Sequence, residues 1–222
     1  MTDALQTIPD DDAFTLAILA NGERPIEKGL ALLMAVDVLV ACDGALLAAR
    51  ACGREPDVVV GDGDSLSDDE KIQLGRRFVL DAEQETNDFA KAFRFIRRRY
   101  PDHRRVVVLG AGGGREDHLI DNVFRLAVFA RELPGIALVT NHGRFDVVHG
   151  VRAFDGRPGD FVSVFAPTRP THVTSEGLKW PLAGVDLSDL YAGVHNRTTS
   201  ARFVLQSDQP LLVYRPFRFP SP

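Results

Sequence analysis

Asp62 and Asp64 stand one glycine apart in the run Asp57-Val58-Val59-Val60-Gly61-Asp62-Gly63-Asp64-Ser65. Paired carboxylates suit a hard cation such as Mg²⁺, which takes one or two of them and fills its other positions with water and substrate phosphates. An extended backbone would point side chains i and i+2 the same way, so both carboxylates would converge. Like charges held that close repel, and a cation offsets the repulsion. The same residues also fit a solvated acidic turn ahead of a helix starting near Ser67. The pair alone does not choose between the two.

A second stretch with chemical potential is Gly110-Ala111-Gly112-Gly113-Gly114-Arg115-Glu116-Asp117-His118. A glycine loop between a strand and a helix exposes backbone N–H groups at the positive end of the helix, which suits phosphate. Arg115 adds a bidentate phosphate donor. The loop is no P-loop, since no Gly-Lys-Ser/Thr follows. It is a poor dinucleotide fingerprint, because Arg115 takes the third glycine position. Asp117 either points into the same crevice or is a first-turn helix acid.

The elements around these residues decide where they point. Short apolar strands are expected at 14–20, 36–41, 58–60, 78–80, 106–109 and 136–140. Between them lie a helix opened by Pro25 and running to 35, and a small-residue helix at 45–51. A third places Phe89, Ala92, Phe93 and Ile96 on one face, and a fourth has Ile120, Val123, Phe124, Ala127 and Val128 on one stripe. Asn87 or Thr86 can cap the third helix, and Asp88 suits its first turn. Arg97, Arg98, Arg99, Arg104 and Arg105, at and after its end, read as a solvated face. Alternation of this kind predicts an α/β layer on a parallel sheet, whose ligands bind beyond the carboxyl ends of the strands. Asp43, Asp62, Asp64, Asp88 and Asp117 each follow a strand or open the next helix, so they converge on one edge. Five carboxylates beside Arg115 and a glycine loop predict a metal–polyphosphate site and a phosphate-handling enzyme.

After Asn141-His142-Gly143 the pattern changes to short alternating runs at 144–149, 160–165, 172–175, 201–206 and 211–214. These predict a smaller all-β, sandwich- or barrel-like domain over 144–222, following an α/β catalytic domain over 1–143. The chain has 222 residues, 45% apolar and 26% charged, with a net charge of −5. That acidic balance argues against a nucleic-acid partner. No apolar run is long enough for a membrane span, and the polar start is unlike a secretory signal. Cys42 and Cys52 have no metal or redox spacing, which suits reduced thiols in a cytoplasmic protein.

The motifs together resemble the thiamine pyrophosphokinase family. Cys42-Asp43-Gly44-Ala45 matches its Ala-Asp-Gly-Gly-Ala turn, and Gly61-Asp62-Gly63-Asp64-Ser65 matches its Gly-Asp-Phe-Asp-Ser. Glu83-Gln84-Glu85-Thr86-Asn87-Asp88-Phe89-Ala90-Lys91 resembles Asp-Gln-Asp-Thr-Thr-Asp-Phe-Thr-Lys. Gly113-Gly114-Arg115-Glu116-Asp117-His118, with Asn122 after it, resembles Gly-Gly-Arg-Phe-Asp-His. Gly177-Leu178-Lys179-Trp180 matches a late Gly-Leu-Lys-Trp segment. The resemblance implies Mg²⁺-dependent transfer of diphosphate from ATP to the hydroxyl of thiamine, with release of AMP. It implies a Rossmann-like parallel-sheet catalytic domain, a C-terminal β domain, and a homodimer whose sites are shared between subunits. Asp62, Asp64, Asp88 and Asp117 are implied as catalytic and metal-binding. Asp43, Gly44, Gly112, Gly113, Gly114, Arg115, Asp117, His118 and Asn122 are implied around ATP, and Trp180, His195 and Asn196 around thiamine.

Gly63 and Glu116 stand where the family has bulky residues, and His195-Asn196 where it often has Ser-Asn. These departures bear on the acceptor more than on diphosphate transfer. The rival readings are a diphosphokinase acting on another hydroxymethyl heterocycle, such as a pterin, and a non-catalytic nucleotide- or thiamine-binding protein.

Overall fold

The computed structural model describes residues 13–168, 171–187 and 193–217. The polar start at 1–12, read above as unlike a signal, lies outside them. The chain divides into two compact units. One comprises Ala13–Arg125 with Leu138–Asn141, and the other Leu126–Ala137 with the chain from His142.

The first unit alternates strand and helix. In order come β1 (Leu16–Leu19), α1 (Glu27–Ala35), β2 (Val38–Cys42), α2 (Leu46–Ala51), β3 (Val58–Gly61), α3 (Asp68–Leu74), β4 (Phe78–Leu80), α4 (Asp88–Arg99) and β5 (Val106–Leu109). Then follow α5 (Glu116–Phe129) and β6 (Ile136–Val139), which straddle the division between the units. The strands β5-β1-β2-β3-β4 lie side by side in that order, all parallel. Strands covered on both faces need continuous apolar runs, and every residue of β1 and of β5 is fully buried. The registers align Leu19 with Ala41 and Leu109, Cys42 with Val60, and Gly61 with Leu80. All the strands therefore end along one edge. Helix α4 lays Phe89, Ala92, Phe93 and Ile96 against β2 and β3, so its first turn comes to that edge.

Some boundaries differ from expectation. Pro25 does not open α1, which starts at Glu27 after an extended Ile26. The Ile26 N–H instead donates to Asn141 Oδ1 at 3.1 Å. The turn after β3 does lead into a helix capped by Ser67. The Ser67 hydroxyl accepts the Glu70 N–H, and the Glu70 carboxylate accepts the Ser67 N–H at 2.8 Å. The acidic-turn and cation readings of Asp62 and Asp64 are therefore compatible. Of the expected solvated arginines, Arg98, Arg99 and Arg104 are exposed, whereas Arg105 lies 4.9 Å over the Phe14 ring.

The second unit carries antiparallel strands: β7 (Gly143–Asp155), β8 (Phe161–Phe165), β9 (His172–Glu176), β10 (Ala183–Asp186), β11 (Gly193–Arg197) and β12 (Arg202–Pro216). The long β12 pairs with β7 along most of its length, with β9 near its start and with β8 near its end. Runs 201–206 and 211–214, expected as separate strands, are one strand with an irregularity between Ser207 and Leu211. The polar segment there resembles a loop, but the Ser207 hydroxyl satisfies it locally by donating to the Gln209 carbonyl at 2.7 Å. Phe154 and Phe203 stack at 5.0 Å within the core of this unit. Neither cysteine forms a disulfide. No helix among the described residues is long and apolar enough to cross a membrane.

Candidate active site at the carboxyl ends of the parallel strands

Asp43 follows β2 and is only 1% exposed. Its Oδ1 accepts the Gly44 N–H at 2.7 Å, and its Oδ2 accepts the Gly63 N–H at 2.8 Å. Burial pushes its pKa up, aided by the charge of Asp88, while the two amides pull against this. The neighbouring strand must leave room for this carboxylate. A Cβ at Gly61 would lie 2.4 Å from Asp43 Cγ, closer than atoms can approach. Gly61→Ala therefore displaces Asp43 from beside Asp62; with Mg²⁺ held at this trio, as proposed below, its affinity is expected to fall on the order of 10–100-fold, as for loss of a supporting residue at a metal site. Calorimetric Mg²⁺ titration checks this, and unchanged affinity would separate Asp43 from the cation.

Asp62 and Asp64 converge, but not through an extended backbone. Strand β3 ends at Gly61, and Gly63 takes φ +79°, a conformation that glycine adopts without strain. The chain turns back, and the Asp64 N–H donates to Asp62 Oδ1 at 3.2 Å. One carboxylate oxygen each of Asp43, Asp62 and Asp64 then lies within 4.8 Å of the others.

The Gln84 amide donates to Asp62 Oδ2 at 2.8 Å, and the Lys91 ammonium lies 3.4 Å from the same oxygen. The Gln84 hydrogen bond is the largest cause of an Asp62 pKa pulled down to about 2, with the Asp64 amide and Lys91 adding to it. Lys91 has a side chain only 3% exposed, and it also pairs with Asp88 Oδ1 at 3.2 Å. Burial alone would lower the Lys91 pKa, but Asp88 and Asp62 outweigh it and raise the value. Asp88 thus faces Lys91 and stands outside the trio.

A cavity of about 480 Å³ opens beside this cluster. It is lined by Asp62, Gln84, Asp88 and Lys91 together with Gly113, Gly114, Arg115, His118 and Asn122. Two backbone bonds strap the β1–α1 loop to the glycine loop: Gly22 N–H to Gly110 O at 2.7 Å, and Glu23 N–H to Gly112 O at 2.5 Å. Asn122 is buried and ties three elements together. Its amide donates to Ala111 O at 3.3 Å, and its Oδ1 accepts from the Asn87 amide at 3.0 Å. Asn87 in turn caps α4 through the Ala90 N–H at 2.9 Å.

Arg115 and Asp117 engage each other, with Nη2 to Oδ2 at 2.5 Å and Nε to Oδ1 at 3.1 Å. Asp117 therefore sits apart from the Asp43–Asp62–Asp64 trio. Its pKa is lowered, first by Arg115.

In the second unit, Trp180 is half exposed, with the Lys179 ammonium 4.7 Å over its ring. Asn196 is buried and clamps the Trp180 backbone, its Oδ1 accepting the N–H at 3.2 Å and its amide donating to the carbonyl at 2.7 Å. His195 takes a positive φ of 64°, and its ring lies 4.8 Å from Phe161.

The sequence reading gives Lys91 and Gln84 no role. Both lie in the quoted segment 83–91, and an acid and a lysine three apart on a helix pass for a surface ion pair. Gly63, which stands where the resembled family has a bulky residue, sits in a tight turn: a Cβ there would meet Phe78 Cζ at 2.9 Å and Lys71 Cε at 3.1 Å.

Residues 30–138 match the family model described as thiamin pyrophosphokinase, catalytic domain. Thiamine pyrophosphokinase 1 of Oryza sativa subsp. japonica is 29% identical over 156 residues, which cover 63% of this chain and 57% of that relative. The chain thus matches little more than half the length of this curated relative. Among solved structures, thiamin pyrophosphokinase from Candida albicans superposes with a TM-score of 0.78 at 16% identity, covering 93% of this chain and 90% of that one. The Bacillus subtilis thiamine pyrophosphokinase gives 0.76 at 19% identity, covering 92% and 99%. At such identities the superpositions speak for the fold, and the matched segment 30–138 holds Asp43, Asp62, Asp64, Asp88, Lys91 and Arg115. Through that segment the chain is similar to the catalytic domain of thiamin pyrophosphokinases.

Proposed function

We propose that this protein transfers the diphosphate group of ATP to the hydroxyl of thiamine, giving thiamine diphosphate and AMP with the help of Mg²⁺. The observation that carries the proposal is the Asp43–Asp62–Asp64 trio beside a cavity lined by the glycine loop and Arg115. The donor set fits the ion, since it consists of hard carboxylate oxygens. Asp62 and Asp64 would hold Mg²⁺, with Asp43 behind them and Asp88 close by. When bound, the ion supplies neutralisation of phosphate charge.

The chain's own residues do the rest. With a pKa near 2, Asp62 is a weak base at neutral pH, which suits a permanently charged ligand. Asp43 is too enclosed to meet substrate and fixes the turn through its two amide bonds. The glycine-loop amides and Arg115 receive the phosphates. Arg115 must leave Asp117 to do so, and solvent screens an exposed pair of that kind, so the exchange costs little. The hydroxyl oxygen would then attack the β-phosphorus in line while the bond from that phosphorus to the oxygen bridging it to the α-phosphorus breaks; AMP departs with that oxygen, and the hydroxyl proton passes to water. Positioning and charge neutralisation supply most of the acceleration.

Trp180 offers an indole face to the cationic thiazolium, an attraction of roughly 0.5–2 kcal/mol. Lys179 must swing off that face. We further propose a cytoplasmic homodimer, with the antiparallel unit serving as the thiamine-binding and dimerisation domain.

Acceptor competition tests this. Purified protein with ATP and Mg²⁺ receives thiamine or a hydroxymethylpterin. Thiamine diphosphate alone is expected. A pterin diphosphate, or nucleotide binding without turnover, would overturn the reading.

A further inference from the structure

The loop between β4 and α4 carries Asp81, Glu83 and Glu85, close in sequence to an edge already crowded with carboxylates. Repulsion would drive such a loop outward. It is gathered instead around Glu83. One Glu83 oxygen accepts the N–H of Thr86 at 2.9 Å and also that of Glu85, and the other accepts the Thr86 hydroxyl. Arg94, in the second turn of α4, closes this hub. Its Nη2 donates to Glu83 Oε2 at 2.8 Å and lies 3.5 Å from Asp81 Oδ2, while its Nη1 donates to Thr86 Oγ1 at 3.0 Å. The loop is anchored at its start by the Asp81 N–H, which donates to the carbonyl of Gly61 at 2.8 Å, one residue before Asp62. Gln84 points out of the hub, and its amide reaches Asp62 Oδ2 at 2.8 Å.

We propose that Arg94, acting through Glu83, is a positioning residue that holds Gln84 on Asp62 and so fixes how Asp62 meets the cation. The proposal rests on the diphosphate-transfer reading of the site. Arg94 does not line the cavity. Its effect passes through a planar fork that engages Glu83 and Thr86 together, geometry that a lysine ammonium does not reproduce.

The test uses the full chain as wild type, Arg94→Gln, Arg94→Lys, Glu83→Gln and, as a control, the exposed Arg98→Gln. Glu83→Gln keeps the volume but places an amide nitrogen where only acceptors fit. Three quantities are read: hydrogen exchange of the Glu85 and Thr86 amides without metal, Mn²⁺ affinity, and kcat and KM for thiamine. In Arg94→Gln and Glu83→Gln the two amides should exchange faster. Mn²⁺ affinity and kcat should each fall on the order of 10–100-fold, the usual effect of losing an outer partner of a metal ligand. KM for thiamine should hold. Arg94→Lys should fall between wild type and Arg94→Gln, and Arg98→Gln should match wild type.

Unchanged exchange at both amides would overturn the proposal. So would faster exchange with Mn²⁺ affinity within about twofold of wild type, a change too small for the loss of an outer partner of a metal ligand. That outcome would leave Arg94 a loop brace only. Failure of the underlying reading looks different: wild type itself would bind no Mn²⁺ and release no AMP.

Discussion

Asp64→Asn is expected to lower the proposed diphosphate transfer by about 100-fold or more, since outer partners of metal ligands already cost 10–100-fold, and to leave the metal-free fold as stable as wild type. Asp64 is exposed, and its backbone N–H, not its side chain, makes the bond to Asp62. Its side chain accepts the Ser65 hydroxyl at 3.1 Å, which an asparagine oxygen can still do. Exposed substitutions of this kind stay within about 0.5 kcal/mol. Removing one of three like charges also relieves repulsion within the trio. The paired measurements are the initial rate and the unfolding midpoint without Mg²⁺. Wild-type-like turnover would take Asp64 out of the site. A large fall in the midpoint would make it a structural acid.

Asp146→Asn acts the other way, on stability. Asp146 is fully buried in the second unit and is ringed by three guanidinium groups. Arg144 donates to its Oδ1 from Nη2 at 2.7 Å and Nε at 2.9 Å, Arg152 approaches the same oxygen at 3.1 Å, and Arg215 donates to Oδ2 at 2.8 Å. Removing a carboxylate bonded to all three leaves buried positive charge poorly compensated, which costs about 3–5 kcal/mol. Burial alone would raise the Asp146 pKa, but the charges of Arg144, Arg152 and Arg215 overcome it and hold the carboxyl well below its ordinary range. A depressed folded-state pKa contributes stability in full above the unfolded value of about 3.9. That contribution is lost as pH falls from there through the folded-state value. Wild type should therefore hold its midpoint to near pH 5 and lose stability below about pH 4, whereas Asp146→Asn should lack this part of the acid dependence. Denaturant melts from pH 7 to pH 3 measure both effects. Equal midpoints at neutral pH would contradict the account.

The parallel layer is legible in the sequence because strands buried on both faces cannot hide their Val and Leu runs. The acids are legible because Asp43, Asp62 and Asp88 sit where strands end or helices begin. The geometry within the site is less accessible. Convergence of Asp62 with Asp64 depends on a turn at Gly63, and their approach to Asp43 depends on the missing Cβ of Gly61. Lys91 reads as a surface partner of Asp88 until α4 is packed on β2 and β3, which buries it. Arg215 and Asp146 are far apart in sequence, and only the pairing of β12 with β7 brings them together. Strands β10 and β11 are hidden because segments such as Gly193–Arg197 lack an apolar alternation.

The most direct test of diphosphate transfer is the identity of the nucleotide product. Protein is incubated with ATP and Mg²⁺, with and without thiamine, and the products are separated by ion-exchange chromatography. The account predicts AMP in equal amount to thiamine diphosphate, dependent on thiamine and abolished by EDTA. ADP with thiamine monophosphate, or AMP formed equally without thiamine, would contradict it.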